Sequence, residues 1–129
     1  MSEIPQDLYY TKEHEYLKET SEEGVYVVGI TDYAQGELGD VVYVELPSSG
    51  DTFAKMETFG TIEAVKAVSD LYCPVHGEVV DVNPKLDDDP SLVNSAPYGK
   101  GWMIRLRIDD EEDLEDLLDA DAYAKLIGG

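Results

Sequence analysis

Cysteine and histidine, the side chains most often found as nucleophiles or zinc ligands, are scarce in this sequence. Cys73 is the single cysteine, and His14 and His76 are the two histidines. Cys73-x-x-His76 offers two metal ligands, short of the four that a closed zinc site takes, so no metal is expected. A catalytic Cys–His couple would be an unusually close pair in sequence, further constrained by Pro74, so an enzyme built on Cys73, His76 and His14 is disfavoured. Lys66 is different in kind. It is the lone cation between Phe59 and Tyr72, set among small and apolar residues where one strand must turn into the next. That spacing puts its amine at a hairpin tip, with Ala64 and Ala67 leaving its surroundings uncrowded, as an approaching enzyme would require. A surface lysine can equally do no more than solubilise a sheet edge.

The chain around these residues has 129 positions, 29 of them acidic and nine basic, for a net charge of −20. That length suits one domain, 1–129, able to bury about two-thirds of its unfolded surface without a staple. The charge argues against nucleic acid and anionic membranes as partners, since each long-range term would be repulsive. With 43% apolar residues and nine tyrosines the chain is too rich for a disordered acidic tail. One cysteine allows no internal disulfide, the longest apolar run, Val25 to Ile30, is far too short to span a bilayer, and Met1 to Asp7 lacks a leader's basic start. These features predict a cytoplasmic monomer.

The elements that must position Lys66 read as strands. Val25 to Val28 and Val41 to Val44 are β-branched and aromatic, bounded by Gly24, Gly29, Gly39 and Pro47. Thr31 is placed to cap a short helix over 32–38 that Gly39 closes. Trp102, Ile104, Leu106 and Ile108 alternate with Met103, Arg105 and Arg107, predicting a strand with one buried face. Loops are expected at 48–51, 87–90 and 94–99. From Asp109 to Asp121 nine of thirteen residues are acidic; Leu114, Leu117 and Leu118 within that run have the spacing of an amphipathic helix, as do Tyr123, Leu126 and Ile127 after it. This run is either a solvated face docked by its leucines or an acidic docking surface. In addition, Gly39-Asp40-Val41-Val42-Tyr43-Val44 is echoed 38 residues later by Gly77-Glu78-Val79-Val80-Asp81-Val82. Two copies suit a pseudo-twofold sandwich, chance likeness of valine-rich strands being the alternative.

The order of several longer blocks carries more information. Tyr10-Thr11-Lys12-Glu13-His14-Glu15, Val28 to Gln35, Leu38 to Pro47, Glu63-Ala64-Val65-Lys66-Ala67-Val68-Ser69-Asp70, Pro74 to Asn83, Leu92 to Ser95, Pro97 to Gly99 and Gly101-Trp102 follow one another at set distances. Together they resemble the glycine cleavage system H proteins, over about Tyr9 to Ile127. The chain departs from that pattern at Tyr16, where the family usually has Trp, at Ala64, Cys73 and Gly36. The resemblance implies a mainly β, lipoyl-domain-like hammerhead: two antiparallel sheets in pseudo-twofold halves over about 25–108, with short helices and an acidic C-terminal helical segment over about 110–127.

It also implies that Lys66 carries lipoic acid as an amide. An ordinary lysine amine is almost wholly protonated at pH 7, so activating it falls to the lipoate ligase or lipoyl/octanoyl transferase. The lipoyl arm supplies the reactive chemistry and the chain itself is not an enzyme. In the family, glycine decarboxylase (the P protein) leaves an aminomethyl group on a lipoyl sulfur. The aminomethyltransferase (the T protein) passes its carbon to tetrahydrofolate, and dihydrolipoyl dehydrogenase (the L protein) reoxidises the dithiol. Glu15 and Asp70 match the carboxylates of the cleft in which the family parks the loaded arm. Two alternatives stay open, a relay donating lipoyl groups to other complexes and, in another class, an acidic interaction module acting through 109–121. Biotin is disfavoured because biotinyl lysines usually lie between methionines, where Val65 and Ala67 stand here.

Overall fold

The computed structural model describes residues 4–128; Met1 to Glu3, part of the stretch read for a leader, and Gly129 lie outside the described residues. Along the chain come β1 (Tyr9–Tyr10), β2 (Glu15–Glu19), β3 (Val25–Ile30), α1 (Asp32–Leu38), β4 (Val41–Glu45), β5 (Thr52–Phe53), β6 (Thr58–Ala64), β7 (Val68–Tyr72) and β8 (Gly77–Val82). After them come α2 (Lys85–Asp88), α3 (Leu92–Ser95), β9 (Ile104–Ile108), a 3-10 turn (Glu111–Asp116) and α4 (Ala120–Ile127). The strands form a six-stranded sheet in the order β1-β2-β3-β9-β8-β5 and a three-stranded sheet in the order β4-β6-β7, each antiparallel throughout.

The two sheets enclose the main core, in which Leu17, Val28, Val41, Val44, Ile62, Leu71, Val79, Ile104 and Leu106 are buried together. A smaller cluster of Leu8, Tyr10, Tyr16, Ala120 and Tyr123 lies beneath α4. Consecutive residues Tyr16 and Leu17 are both fully buried, one in each cluster, so β2 is covered on both faces. Tyr16 fits there because its strand partner is Gly29, where a Cβ would stand 2.8 Å from the phenol oxygen.

The internal repeat is visible in the backbone. β4 pairs with β6 and β8 with β9, and each repeat strand is interrupted at the same point, between Val41 and Tyr43 in one copy and between Val79 and Asp81 in the other. The shared Gly-acid-Val-Val pattern therefore encodes an extra residue that bends each strand at an equivalent place. α1 also forms as expected: the Thr31 hydroxyl accepts the Ala34 N–H, and Gly39, with φ +80, closes the helix by donating to the Gln35 carbonyl.

Elsewhere the structure corrects the sequence reading. The loops expected at 87–90 and 94–99 overlap two single-turn helices, α2 and α3, which are anchored by buried Leu86 and Val93 rather than by capping side chains. The acidic run is not one amphipathic helix. Its first part is the 3-10 turn, capped by Asp110 and held by buried Leu114; Leu117 is extended; and Leu118 exchanges two 2.8 Å backbone hydrogen bonds with Tyr10. Only at Asp119, whose side chain caps α4, does an α-helix begin. In that helix Tyr123 is buried but Leu126 is exposed. The late strand alternates as expected from Ile104 to Ile108, but Met103 is fully buried and Trp102 half-buried beneath the Arg105 guanidinium, 5.0 Å from the ring centre.

Candidate functional site

β6 and β7 form the hairpin that carries Lys66. The Ala64 N–H donates to the Ala67 carbonyl across the turn at 2.8 Å, and the Val65 N–H donates to the Asp40 carbonyl at 2.9 Å, tying the tip to the segment before β4. Lys66 is exposed between Val65 and Val68, which are themselves 75% and 66% exposed. Its aliphatic stem runs beside Gly39, where a Cβ would lie 3.1 Å from the lysine Cε. The tip is thus held by its backbone while the amine stands clear.

A cleft of about 250 Å³ opens between β2, α1 and β7. Its apolar surface comes from Ile30, Ala34, Leu38, Ile62 and Leu71; its polar groups are Glu13, His14, Glu15, Tyr33, Glu37, Ser69 and Asp70. Among the described residues the lining has four carboxyl groups and no lysine or arginine, a setting chemically suited to a cation with an apolar stem. Glu15 is 2% exposed and, among the described residues, pairs with no cation. Its Oε1 accepts the Thr11 hydroxyl at 2.8 Å and its Oε2 the Tyr72 N–H at 3.3 Å. Burial pushes the Glu15 carboxyl up to about 8, against those two hydrogen bonds, which favour the charged form.

Asp70 borders the same cleft but is exposed, and its strand partner is Thr61. Neighbouring Ser69 pairs with fully buried Ile62, so alternation turns Ser69, not Asp70, toward the interior face of the sheet. Both carboxylates nonetheless border the cleft, Glu15 buried and Asp70 at its exposed edge. Sequence reasoning singled out none of Thr11, Ser69 and Glu37, although Thr11 and Ser69 lie within the quoted blocks and Glu37 falls between two of them.

The cleft is braced from α4. The Tyr123 hydroxyl is 2.8 Å from His14 Nδ1 and 2.7 Å from Thr31 Oγ1, and its ring stacks on Tyr10 with centroids 4.7 Å apart. His14 takes a left-handed backbone, φ 72, and burial holds its imidazole below the usual range, opposed by Glu13 and Glu37. A second groove of about 260 Å³ shares Glu13 with the cleft and has Thr11, Lys12, Lys55 and Leu117 among its other walls.

Cys73 and His76 do not form a pair. The Cys73 thiol is buried, donates to the Val75 carbonyl at 3.0 Å and is pushed up to about 12 by burial, whereas exposed His76 lies 3.9 Å from Asp109. No cluster of three or more His, Cys, Asp or Glu side chains among the described residues could hold a metal ion, and no described helix is long and apolar enough to cross a membrane.

Two short-stranded antiparallel sheets with a lysine-tipped hairpin form a lipoyl-domain-like hammerhead. The chain belongs to the glycine cleavage H-protein family, whose model matches residues 8–128. It is 50% identical over 125 residues to the glycine cleavage system H protein of Staphylococcus carnosus, covering 97% of this chain and 98% of that one. It is 53% identical over 124 residues to that of Listeria monocytogenes serotype 4b, covering 96% and 98%. The crystal structure of the H protein from Mycobacterium marinum superposes with a TM-score of 0.85 at 37% identity, over 98% of this chain and all of the other.

Proposed function

We propose that Lys66 carries a lipoyl group as an amide and that this chain, as one cytoplasmic carrier domain, moves aminomethyl and reducing equivalents within the glycine cleavage system. The observation that carries this reading is the exposed amine on a hairpin tip whose backbone is pinned on two sides, in a chain of the H-protein family. Acylation by a lipoate ligase or a lipoyl/octanoyl transferase needs a reachable lysine. Transfer between enzymes needs a tip that keeps its shape while the arm swings.

The arm serves three partners in turn: glycine decarboxylase loads it, the aminomethyltransferase unloads it, and dihydrolipoyl dehydrogenase reoxidises it. None of those steps is assigned to residues of this chain. What the chain adds is shelter. The cleft begins within four residues of Lys66, no more than about 14 Å of chain, so a long flexible arm on that lysine reaches it. Burying four or five methylenes of the arm gains about 3–4 kcal/mol at roughly 0.8 each. Ordering the arm costs about 0.5–1.5 kcal/mol or more. The surplus is small, so one ionic contact decides between a parked and a free arm. Glu15, inside, is the contact for an ammonium cargo, and Asp70, at the rim, meets it on entry.

Incubation with lipoate, ATP and a lipoate ligase, followed by intact mass and peptide mapping, tests the attachment site. Addition of one lipoyl group at Lys66, absent in Lys66→Arg, is the expected result. Attachment at another lysine, or none, ends the proposal.

A further inference from the structure

Thr11 sits between the turn that precedes β2 and the carboxyl of Glu15. It is 6% exposed, and its Oγ1 accepts the backbone N–H groups of Glu13 at 3.2 Å and Glu15 at 3.1 Å. A threonine hydroxyl has two lone pairs and one proton. With both lone pairs engaged, the proton is left to donate, and its acceptor is Glu15 Oε1 at 2.8 Å. The direction of this hydrogen bond is therefore imposed by the turn. The other oxygen, Oε2, accepts the Tyr72 N–H, so both oxygens of Glu15 face donors and the arrangement complements a carboxylate.

We propose that Thr11 is a positioning residue of the cleft: its hydroxyl holds Glu15 in place and favours the charged form, the form that grips a cationic cargo. The inference rests on the reading of Glu15 as the cargo's seat. Burial works the other way, and the two effects leave the carboxyl able to change charge near neutral pH. Among the described residues, the groups facing it add no positive charge. Glu13 and His14 come from its own hairpin, Tyr33 and Glu37 from α1, and Asp70 from β7. Cys73 and Tyr123, from the loop after β7 and from α4, are both held protonated by burial. Thr11 is thus the side chain that counters desolvation of Glu15.

The test is a carbon-13 carboxyl NMR titration of the unlipoylated chain as wild type, Thr11→Val and Thr11→Ser. Thr11→Val is expected to raise the Glu15 midpoint by about one pH unit, a tenfold change in its ionisation constant, with Thr11→Ser restoring it. Coincident midpoints in folded variants overturn the inference. If Thr11→Val does not fold, the wild-type Thr11 hydroxyl proton decides. It should show a contact to the Glu15 side chain and a chemical shift that follows the Glu15 titration; a hydroxyl signal indifferent to that titration overturns the inference equally. A second arm uses the lipoylated, aminomethyl-loaded chain. Glu15→Gln should lose cargo several-fold faster than wild type, and Thr11→Val should do so at neutral pH but approach wild type at high pH. Unchanged loss in Glu15→Gln sinks the reading of the cleft, whereas faster loss in Glu15→Gln with a wild-type pH profile in Thr11→Val sinks the role of Thr11 alone.

Discussion

Tyr123 of the last helix and Thr31, the residue that caps the first, share a hydrogen bond of 2.7 Å across the interior. The same phenol meets His14 at 2.8 Å, so one hydroxyl joins α4 to both the β1–β2 turn and the start of α1. Those two segments are walls of the cleft. Removing the hydroxyl in Tyr123→Phe keeps the stacking on Tyr10 but takes one hydrogen bond each from buried Thr31 and half-buried His14. A loss of about 1–3 kcal/mol in folding stability is expected, read by chemical denaturation. Stability within a few tenths of wild type would show that the bridge contributes nothing.

The pH dependence of stability should carry the signature of Glu15. Its carboxyl is raised from 4.5 to about 8, so between those values the folded chain keeps a proton that the unfolded chain has lost. The contribution is complete below the lower value and is lost as pH rises through the upper one, with a limiting slope of about 1.4 kcal/mol per pH unit. Urea unfolding across pH 4 to 9 should show wild type losing stability relative to Glu15→Gln over that window. Parallel curves would mean that Glu15 titrates normally.

Cargo retention should separate the two carboxylates. Glu15→Ala and Asp70→Ala both leave lipoylation intact, because neither lies at the hairpin tip. Both speed loss of the aminomethyl group, Glu15→Ala more, since its carboxyl is buried and that of Asp70 is open to solvent. Decay of the loaded arm followed by mass spectrometry measures this; an equal rate in all three proteins removes the cleft assignment.

Cys73 should behave as a structural thiol. Buried and held protonated, it is expected to resist iodoacetamide in the native chain and to react on unfolding. Rapid native alkylation would contradict its packing.

The acidic run should matter through its leucine, not its charge. Leu114→Ala, at a buried position of the main core, should cost about 2–5 kcal/mol, whereas neutralising exposed Glu111 and Glu112 should change stability little. The reverse order in thermal melts would revive the acidic surface as the run's purpose.

Much of this architecture was legible in the residues themselves. Thr31, the valine-rich repeat and the lysine between two alanines act through near neighbours, and each lies where its local chemistry puts it. What was hidden depends on distant contacts. A single helical turn such as α2 is too short to persist alone and survives because Leu86 is buried. Leu118 keeps helical spacing with Leu114, yet pairing with Tyr10, over a hundred residues earlier, draws it into an extended bridge. Likewise nothing near Glu15 in sequence announced that Tyr72 would supply a donor to it.

One absence of atoms bears on where the Lys66 side chain rests. Gly39 has φ +80, a conformation suited to glycine, and the stem of Lys66 lies over its bare backbone. A methyl group there would both strain the chain and crowd the stem. The hydrogen at that position thus gives the Lys66 stem a berth, so that the arm proposed for this lysine would begin each excursion from a defined side of the protein.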